Sequence, residues 1–386
     1  MKKSIASKLF VGCFCVFLAG VAALTLLLPK ADSSYYENRS LAKAPEFTWE
    51  DFLSGEYFSQ WETYFTDHVA LRSYLMKVQT FLQLHILHQP VVSDVVTDSD
   101  VLLGYHGYGT WSMDYAADSA KTAAEEPGAW QAAAEGWGGQ VYYLGLPEQY
   151  SYFEDRYPDY MENRSFVYPP IEEAMEEAMG EVGVPFLSMY TRYREEGCPR
   201  EYYFATDHHY TIYGALRACQ EALAAINDTQ GYALYIPQEE DLAFTTLPNP
   251  FLGSRNRKLF GLEDKGDLLT VAEYKEAVPF TRSDNGEPSE ASLLALPATE
   301  EETVTYNAFM GGDIGETVID THREDLPTAV VIGESFTNAL ETLLYASFDE
   351  VHSIDPRHFT GDISAYLAEL QPEVILIVRD NSAYFS

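Results

Sequence analysis

The first pattern along the chain is an apolar run, residues 9–28, that contains no charge and follows Lys2, Lys3 and Lys8. Pro29 and Lys30 close it. Twenty apolar residues in a helix span a bilayer, and lysines on the N-terminal side keep that end cytoplasmic. Val21-Ala22-Ala23 also resembles a signal cleavage site, but the apolar run continues through Leu28. The expectation is an uncleaved single-pass anchor in the cell membrane with everything after it extracellular; a secreted protein is the alternative. In residues 31–95, Phe52, Tyr57, Phe58, Trp61 and Phe65 suggest one amphipathic segment. Leu71, Leu75, Val78, Leu82 and Ile86 repeat the helical spacing, so the stretch predicts a helical arm.

From about residue 94 the texture changes to short apolar runs separated by turns. Residues 100–104 (DVLLG) and 140–146 (QVYYLGL) predict strands. Residues 171–179 predict a helix with outward glutamates, and 184–189 a further strand. Ile212, Leu216, Cys219, Leu223 and Ile226, spaced 4-3-4-3, form the inner stripe of another helix. Residues 228 to about 327 are rich in Pro, Asn, Gly and acids, and 283–303 reads as an exposed loop. This stretch is expected to be an insertion or lid. Strands at 328–332, 350–354 and 373–378 then alternate with helices at 337–346 and 362–370. Such alternation means parallel pairing in an α/β sandwich, with ligands at the carboxyl ends of the strands. The expected organisation is an anchor at 1–30, an arm at 31–95 and one α/β domain at 96–386.

Composition changes this picture little. With 386 residues, 46% of them hydrophobic, the chain has ample material for a core. Beyond residue 30 it carries 20 basic against 60 acidic side chains, a field that repels phosphate backbones and excludes nucleic acid as a partner. Cys13 and Cys15 lie in the apolar run. Cys198 and Cys219 can pair, but the place of Cys219 on a helix stripe favours a buried free thiol.

Two strings carry candidate chemistry. Thr206-Asp207-His208-His209-Tyr210-Thr211 sets an acid two residues before a histidine, where it can fix the ring's tautomer. Val330-Val331-Ile332-Gly333-Glu334-Ser335-Phe336 puts a serine on a turn between an apolar strand and a helix, where backbone N–H groups can stabilise a developing anion. Each string also has a bland reading: Ser335 as a helix cap, Asp207 as a cap beside surface histidines. Together they supply Ser335, His209 and Asp207 of a nucleophile-base-acid triad. On an extended backbone Asp207 and His209 point one way and His208 the other. Adjacent histidines chelate one ion poorly and no third ligand is evident, so neither metal nor cofactor is expected. Asp98-Ser99-Asp100 leads into a strand instead of ending one, against the metal phosphoesterases that share Asp-His-His. One span and Tyr210 exclude the multispan lipid transferases with Asp-His-His-Cys.

Asp207-His208-His209-Tyr210 resembles the Asp-His-His-Trp signature of the bacterial DHHW proteins, relatives of the alginate O-acetyltransferases with a fold like the SGNH hydrolases. Glu37-Asn38-Arg39, Phe65-Thr66-Asp67-His68 and Arg72 resemble that family's N-terminal arm. Residues 142–150 (YYLGLPEQY), 307–312 (NAFMGG) and Ile354-Asp355-Pro356-Arg357 also look familiar, so the likeness runs over most of residues 36–380. It implies a three-layer α/β sandwich with a mainly parallel sheet and a permuted order of acid, base and nucleophile. It further implies that Asp207 orients His209, that His209 is the general base, and that Ser335 carries an acyl group. Arg357 corresponds to a family arginine near the site that binds substrate or forms a structural ion pair; Asn338 is a candidate oxyanion or substrate contact. Tyr210 departs from the motif's Trp, and Glu334 stands where many relatives have Asp or Thr. The implied function is O-acetylation of a cell-surface polysaccharide, with a polytopic membrane acyltransferase as a candidate partner. An esterase with the same triad, or a polysaccharide- or acyltransferase-binding scaffold, are the alternatives.

Overall fold

The computed structural model describes residues 5–37, 39–105, 113–161 and 165–385. Lys2 and Lys3 of the expected anchor and Asn38 of the expected arm lie outside the described residues. The chain forms two compact units, Met1–Ser93 with Arg257–Leu262, and Asp94–Asn256 with Glu263–Ser386.

In the first unit, helix α1 (Ile5–Leu27) is long and apolar enough to cross a membrane. Helix α2 (Glu56–His68) is followed by α3 (Arg72–Phe81), which runs on through a π-helical turn, Leu82–Ile86. The segments that resemble the family's arm are joined by ion pairs. Arg39 donates to both oxygens of Asp67, at 2.6 and 3.0 Å, and Arg72 pairs with Glu37. The Arg39 guanidinium, helped by the Ala42 N–H, holds the Asp67 carboxyl well below the usual carboxylate range against the opposing effect of burial. The backbone N–H of Ala70 donates to Thr25 Oγ1 at 2.9 Å, tying the start of α3 to the last turn of α1. Leu71, Leu75, Val78, Leu82 and Ile86 do share a face, but that face is exposed, while Thr80 and Leu84 turn inward.

The second unit is built on an eight-stranded sheet of β1 (Gln140–Leu146), β2 (Phe186–Ser188), β3 (Thr281–Asp284), β4 (Glu287–Ser289), β5 (Glu316–Asp320), β6 (Ala329–Gly333), β7 (Glu350–Ile354) and β8 (Val374–Asp380). Their order is β4-β3-β5-β7-β6-β8-β1-β2. The five strands from β7 to β2 are parallel; β5, β3 and β4 add an antiparallel edge. Every residue of β6 is buried, the sign of a strand covered on both faces. The longer helices of this unit, among the described residues, are α4 (Met113–Ala134), α5 (Tyr168–Glu181), α6 (Ile212–Gln230), α7 (Thr337–Leu344) and α8 (Ile363–Leu370). Helix α4 packs against α5 and α8, and α6 packs against α7. The predicted α6 stripe, including Cys219, is buried, and Cys198 and Cys219 are both free.

Two expectations need correction. Of residues 100–104 only Leu103–Gly104 is a strand; Leu102 instead donates its N–H to the Ala205 carbonyl at 2.7 Å, just before the Asp-His motif. Residues 228–327 are not simply an insertion or lid. They supply β3, β4 and β5 to the main sheet, and a separate ribbon of Leu242–Thr246 with Thr270–Tyr274. Within 283–303 the exposed character holds for Glu287–Ser289, yet that segment is the outermost strand.

Candidate active site

Strand β6 ends at Gly333, whose Cα approaches both the next helix and the neighbouring strand so closely that glycine is required. A Cβ there would lie 2.5 Å from Thr337 Cγ2 and 2.5 Å from the Val378 carbonyl oxygen. The chain then turns through Glu334-Ser335-Phe336 into α7, with the Thr337 N–H donating to the Glu334 carbonyl at 2.8 Å. The residue that leads into α7 is Phe336, and no side-chain cap is made there. Ser335 is thus half-buried at the carboxyl end of a central strand, with its hydroxyl free for another partner.

That partner is His209. The Asp-His motif occupies a bend closed by an antiparallel bridge between Tyr203 and Tyr210, and Thr211 then caps α6. His209 Nε2 lies 2.7 Å from Ser335 Oγ, and His209 Nδ1 lies 2.6 Å from Asp207 Oδ1. Asp207 also accepts from the His209 N–H at 3.0 Å and from the Ser254 N–H at 2.6 Å. Burial pushes its carboxyl up, but His209, through charge and hydrogen bond, prevails and the pKa is lowered. A carboxylate so held forces the proton of a neutral His209 onto Nδ1 and leaves Nε2 to accept from the serine.

The bend overturns one detail of the sequence reading. His208 does not point away from His209; the two ring centroids are 3.7 Å apart, and His208 Nδ1 bonds Ser254 Oγ at 2.6 Å. Tyr210, at the position of the motif's Trp, does more than pack. Its ring stacks on Phe336, and its buried hydroxyl donates to the Phe336 carbonyl, fastening the turn that bears Ser335.

Arg357 and Asn338 belong to a charged cluster around Glu334. Arg357 donates to Asp355 at 2.6 and 3.0 Å and to Asp313 at 2.9 Å, with Glu334 at 3.6 Å. Arg379 reaches the other Glu334 oxygen at 3.1 Å, and the buried Asn338 amide donates to Asp313 at 3.1 Å. Both candidates are therefore engaged by carboxylates. Asp207, His208 and His209 also come close enough to offer three ligand atoms to one ion, as do Asp313, Asp355 and His358.

Three contributors were not read from the sequence. Ser254 supplies the N–H to Asp207 and the hydroxyl to His208; nothing in its neighbourhood is a motif, although Gly253 is required where a Cβ would fall 2.3 Å from the Thr206 carbonyl oxygen. Tyr306 lies flat against His209, with ring centroids 3.9 Å apart and planes 4° from parallel. It directly precedes the NAFMGG segment. Gln149, inside YYLGLPEQY, donates to the Asp207 carbonyl at 2.9 Å and accepts from Arg255.

No protein-family model matches the chain, and no curated protein matches its sequence. Solved structures do match. The fold they share with this chain is α/β, here with a large, mostly parallel eight-stranded sheet. Bacillus cereus PatB1 is similar at 20% identity, covering 75% of this chain and 96% of its own, with a TM-score of 0.60; it is also known with a sulfonyl adduct. A DHHW family protein from Eubacterium siraeum is 18% identical over 77% of this chain and 93% of its own, with a TM-score of 0.56. The O-acetyltransferase domain of Pseudomonas putida AlgJ aligns at 13% identity over 75% and 91%, with a TM-score of 0.48. At these identities the likeness is one of fold, and it falls among the proteins that the Asp-His-His signature resembles.

Proposed function

We propose that this chain is a membrane-anchored, SGNH-like O-acyltransferase that acetylates a cell-surface polysaccharide outside the cytoplasm through Ser335, His209 and Asp207. The observation that carries the reading is the unbroken chain from Ser335 Oγ to His209 Nε2 at 2.7 Å and from His209 Nδ1 to Asp207 at 2.6 Å. The acetyl group and the polysaccharide come from the likeness to the DHHW proteins. The anchor comes from α1 and its lysines.

In the proposed reaction His209 Nε2 takes the Ser335 proton as Oγ adds to the donor's acyl carbonyl. The oxyanion collapses, the donor leaves with the proton from His209, and the acyl group remains as a serine ester. A sugar hydroxyl then repeats the sequence in reverse, giving its proton to His209 and freeing Ser335. Asp207 stays ionised and stabilises the imidazolium formed in each half. The Ser335 backbone N–H, in the turn before α7, would donate to the oxyanion, since the Thr337 and Asn338 N–H groups are engaged by the carbonyls of Glu334 and Ser335. Transfer outruns hydrolysis when the sugar is held against the ester and water is kept out. A polytopic membrane acyltransferase would be a natural source of the donor.

The test is slow turnover of an activated acetyl ester by the purified chain. Ser335→Ala should abolish it with the fold intact, and added oligosaccharide should divert acetyl from water to sugar. Turnover that ignores every acceptor would make the protein an esterase. Retained polysaccharide acetylation in cells carrying Ser335→Ala would leave it a scaffold.

A further inference from the structure

Helix α3 is built the wrong way round for a helix of a soluble protein. Its inward side is made of Thr80 and Leu84 with the half-buried Met76. Its outward side carries Leu71, Tyr74, Leu75, Val78, Phe81, Leu82 and Ile86, with Leu71 59% and Ile86 60% exposed, and at its margins the exposed Gln79 and His85. Contiguous apolar faces of this length are rare on soluble surfaces and mark a site of contact. Two further observations say with what. The helix begins where the anchor ends, since the Ala70 N–H is bonded to Thr25 Oγ1 in the last turn of α1. In addition, residues 68–93 contain no Asp or Glu but do contain the exposed Lys77, and Arg72 paired with Glu37, in a chain with 60 acidic residues among 386. A negative field of this strength is repelled by anionic headgroups; over residues 68–93 it is interrupted.

We propose that the α3 face lies in the headgroup–acyl boundary of the outer leaflet of the bilayer that α1 crosses. This rests on the anchor reading above. An apolar helical face with a basic flank, close to a membrane span, is the composition of interfacial helices. The arm also exposes Phe47, Trp49, Phe52 and Phe58, but Glu46, Glu50, Asp51 and Glu56 lie among them, so this second patch is not assigned to the bilayer. A second helix-like contact with lipid would fix the arm's orientation at the surface in a way a single span does not.

The test uses the full chain, its four cysteines replaced by alanine, in vesicles of phosphatidylcholine and phosphatidylglycerol. Nitroxide labels are placed singly by Val16→Cys in α1, Val78→Cys on the α3 face and Glu125→Cys on the exposed side of α4. Collision with oxygen, which partitions into lipid, is compared with collision with a water-soluble nickel chelate. The expected result is that Val16 and Val78 both favour oxygen and Glu125 favours the chelate. A Val78 label that collides with the chelate like Glu125, while Val16 reports lipid, overturns the proposal and leaves the anchor standing. A Val16 label in water removes the anchor and the proposal together. A Val78 label shielded from both probes means that protein covers the face, a second copy or another partner, and also overturns it.

Discussion

Replacing Asp207 with asparagine asks how much the buried carboxylate does for His209. The substitution keeps the size of the side chain and exchanges one acceptor oxygen for an NH2 group. Both oxygens are in use: Oδ1 faces the N–H and Nδ1 of His209, and Oδ2 faces the Ser254 N–H at 2.6 Å. With the amide NH2 towards Ser254, two donors meet in a buried place. With the NH2 towards His209, Nδ1 must accept, the ring proton moves to Nε2, and the ring can no longer take the Ser335 proton. Either way the negative charge that stabilises the imidazolium is gone. The expected loss in turnover of an acetyl ester is about 10⁴-fold, or about 5 kcal/mol, the scale seen when the buried Asp of a serine protease triad is made Asn. Orphaning one buried donor should lower stability by roughly 1–3 kcal/mol. Steady-state kinetics beside thermal unfolding separates the two effects. Turnover within about tenfold of the parent in a folded Asp207→Asn chain would show that the carboxylate does not set the tautomer, and the reasoning would fail.

Tyr306→Leu should cost about five- to tenfold in turnover, the worth of about 1 kcal/mol of ring stacking on His209, while Tyr306→Phe keeps the plane and the rate. Equal losses in both would show that the hydroxyl matters and the stack does not. Burial pushes the Glu172 carboxyl up to about 7, against the hydrogen bonds from Ser188 and Asn381 that lower it. A pKa raised on folding means that the folded chain holds a proton the unfolded chain releases from about pH 4.5. The associated stability, up to about 3 kcal/mol, is whole below that pH and lost as pH rises through 7. Thermal unfolding between pH 4.5 and 8 should therefore show Glu172→Gln relatively more stable than the parent at the alkaline end, and a parallel pair of curves would refute this.

What was legible in the sequence follows from how local each signal is. Strands 140–146 and 350–354 were read with the bounds the structure gives: QVYYLGL is an apolar run buried on both faces, and EVHSI, though it holds Glu, His and Ser, falls between two helical segments in a regular alternation. The α6 stripe was visible because its inward residues are aliphatic. Helix α4 was not, because most of its buried residues, Ala116, Ser119, Ala120, Ala124 and Ala134, are small and leave little hydrophobic contrast, the large Trp130 comes only near its end, and Pro127 in its interior argues for a break. Strands β3 and β5 (TRSD and ETVID) carry polar residues, and their pairing is decided by partners far along the chain. At the site, the residue types and their order were readable in two short strings. The orientation of His208 was not, since it depends on a bend that the Tyr203–Tyr210 bridge imposes. Ser254 and Tyr306 reach His208 and His209 only through the folded chain, so nothing local marks them.

The account turns on Ser335 forming an ester, and mass spectrometry of the chain after brief exposure to an activated acetyl donor tests this most directly. The expected result is the gain of one acetyl group, mapped to Ser335, absent from Ser335→Ala, accumulating when no acceptor is present and discharged when oligosaccharide is added. An acetyl group found on another residue, or turnover with no acyl-enzyme at any time, would contradict it.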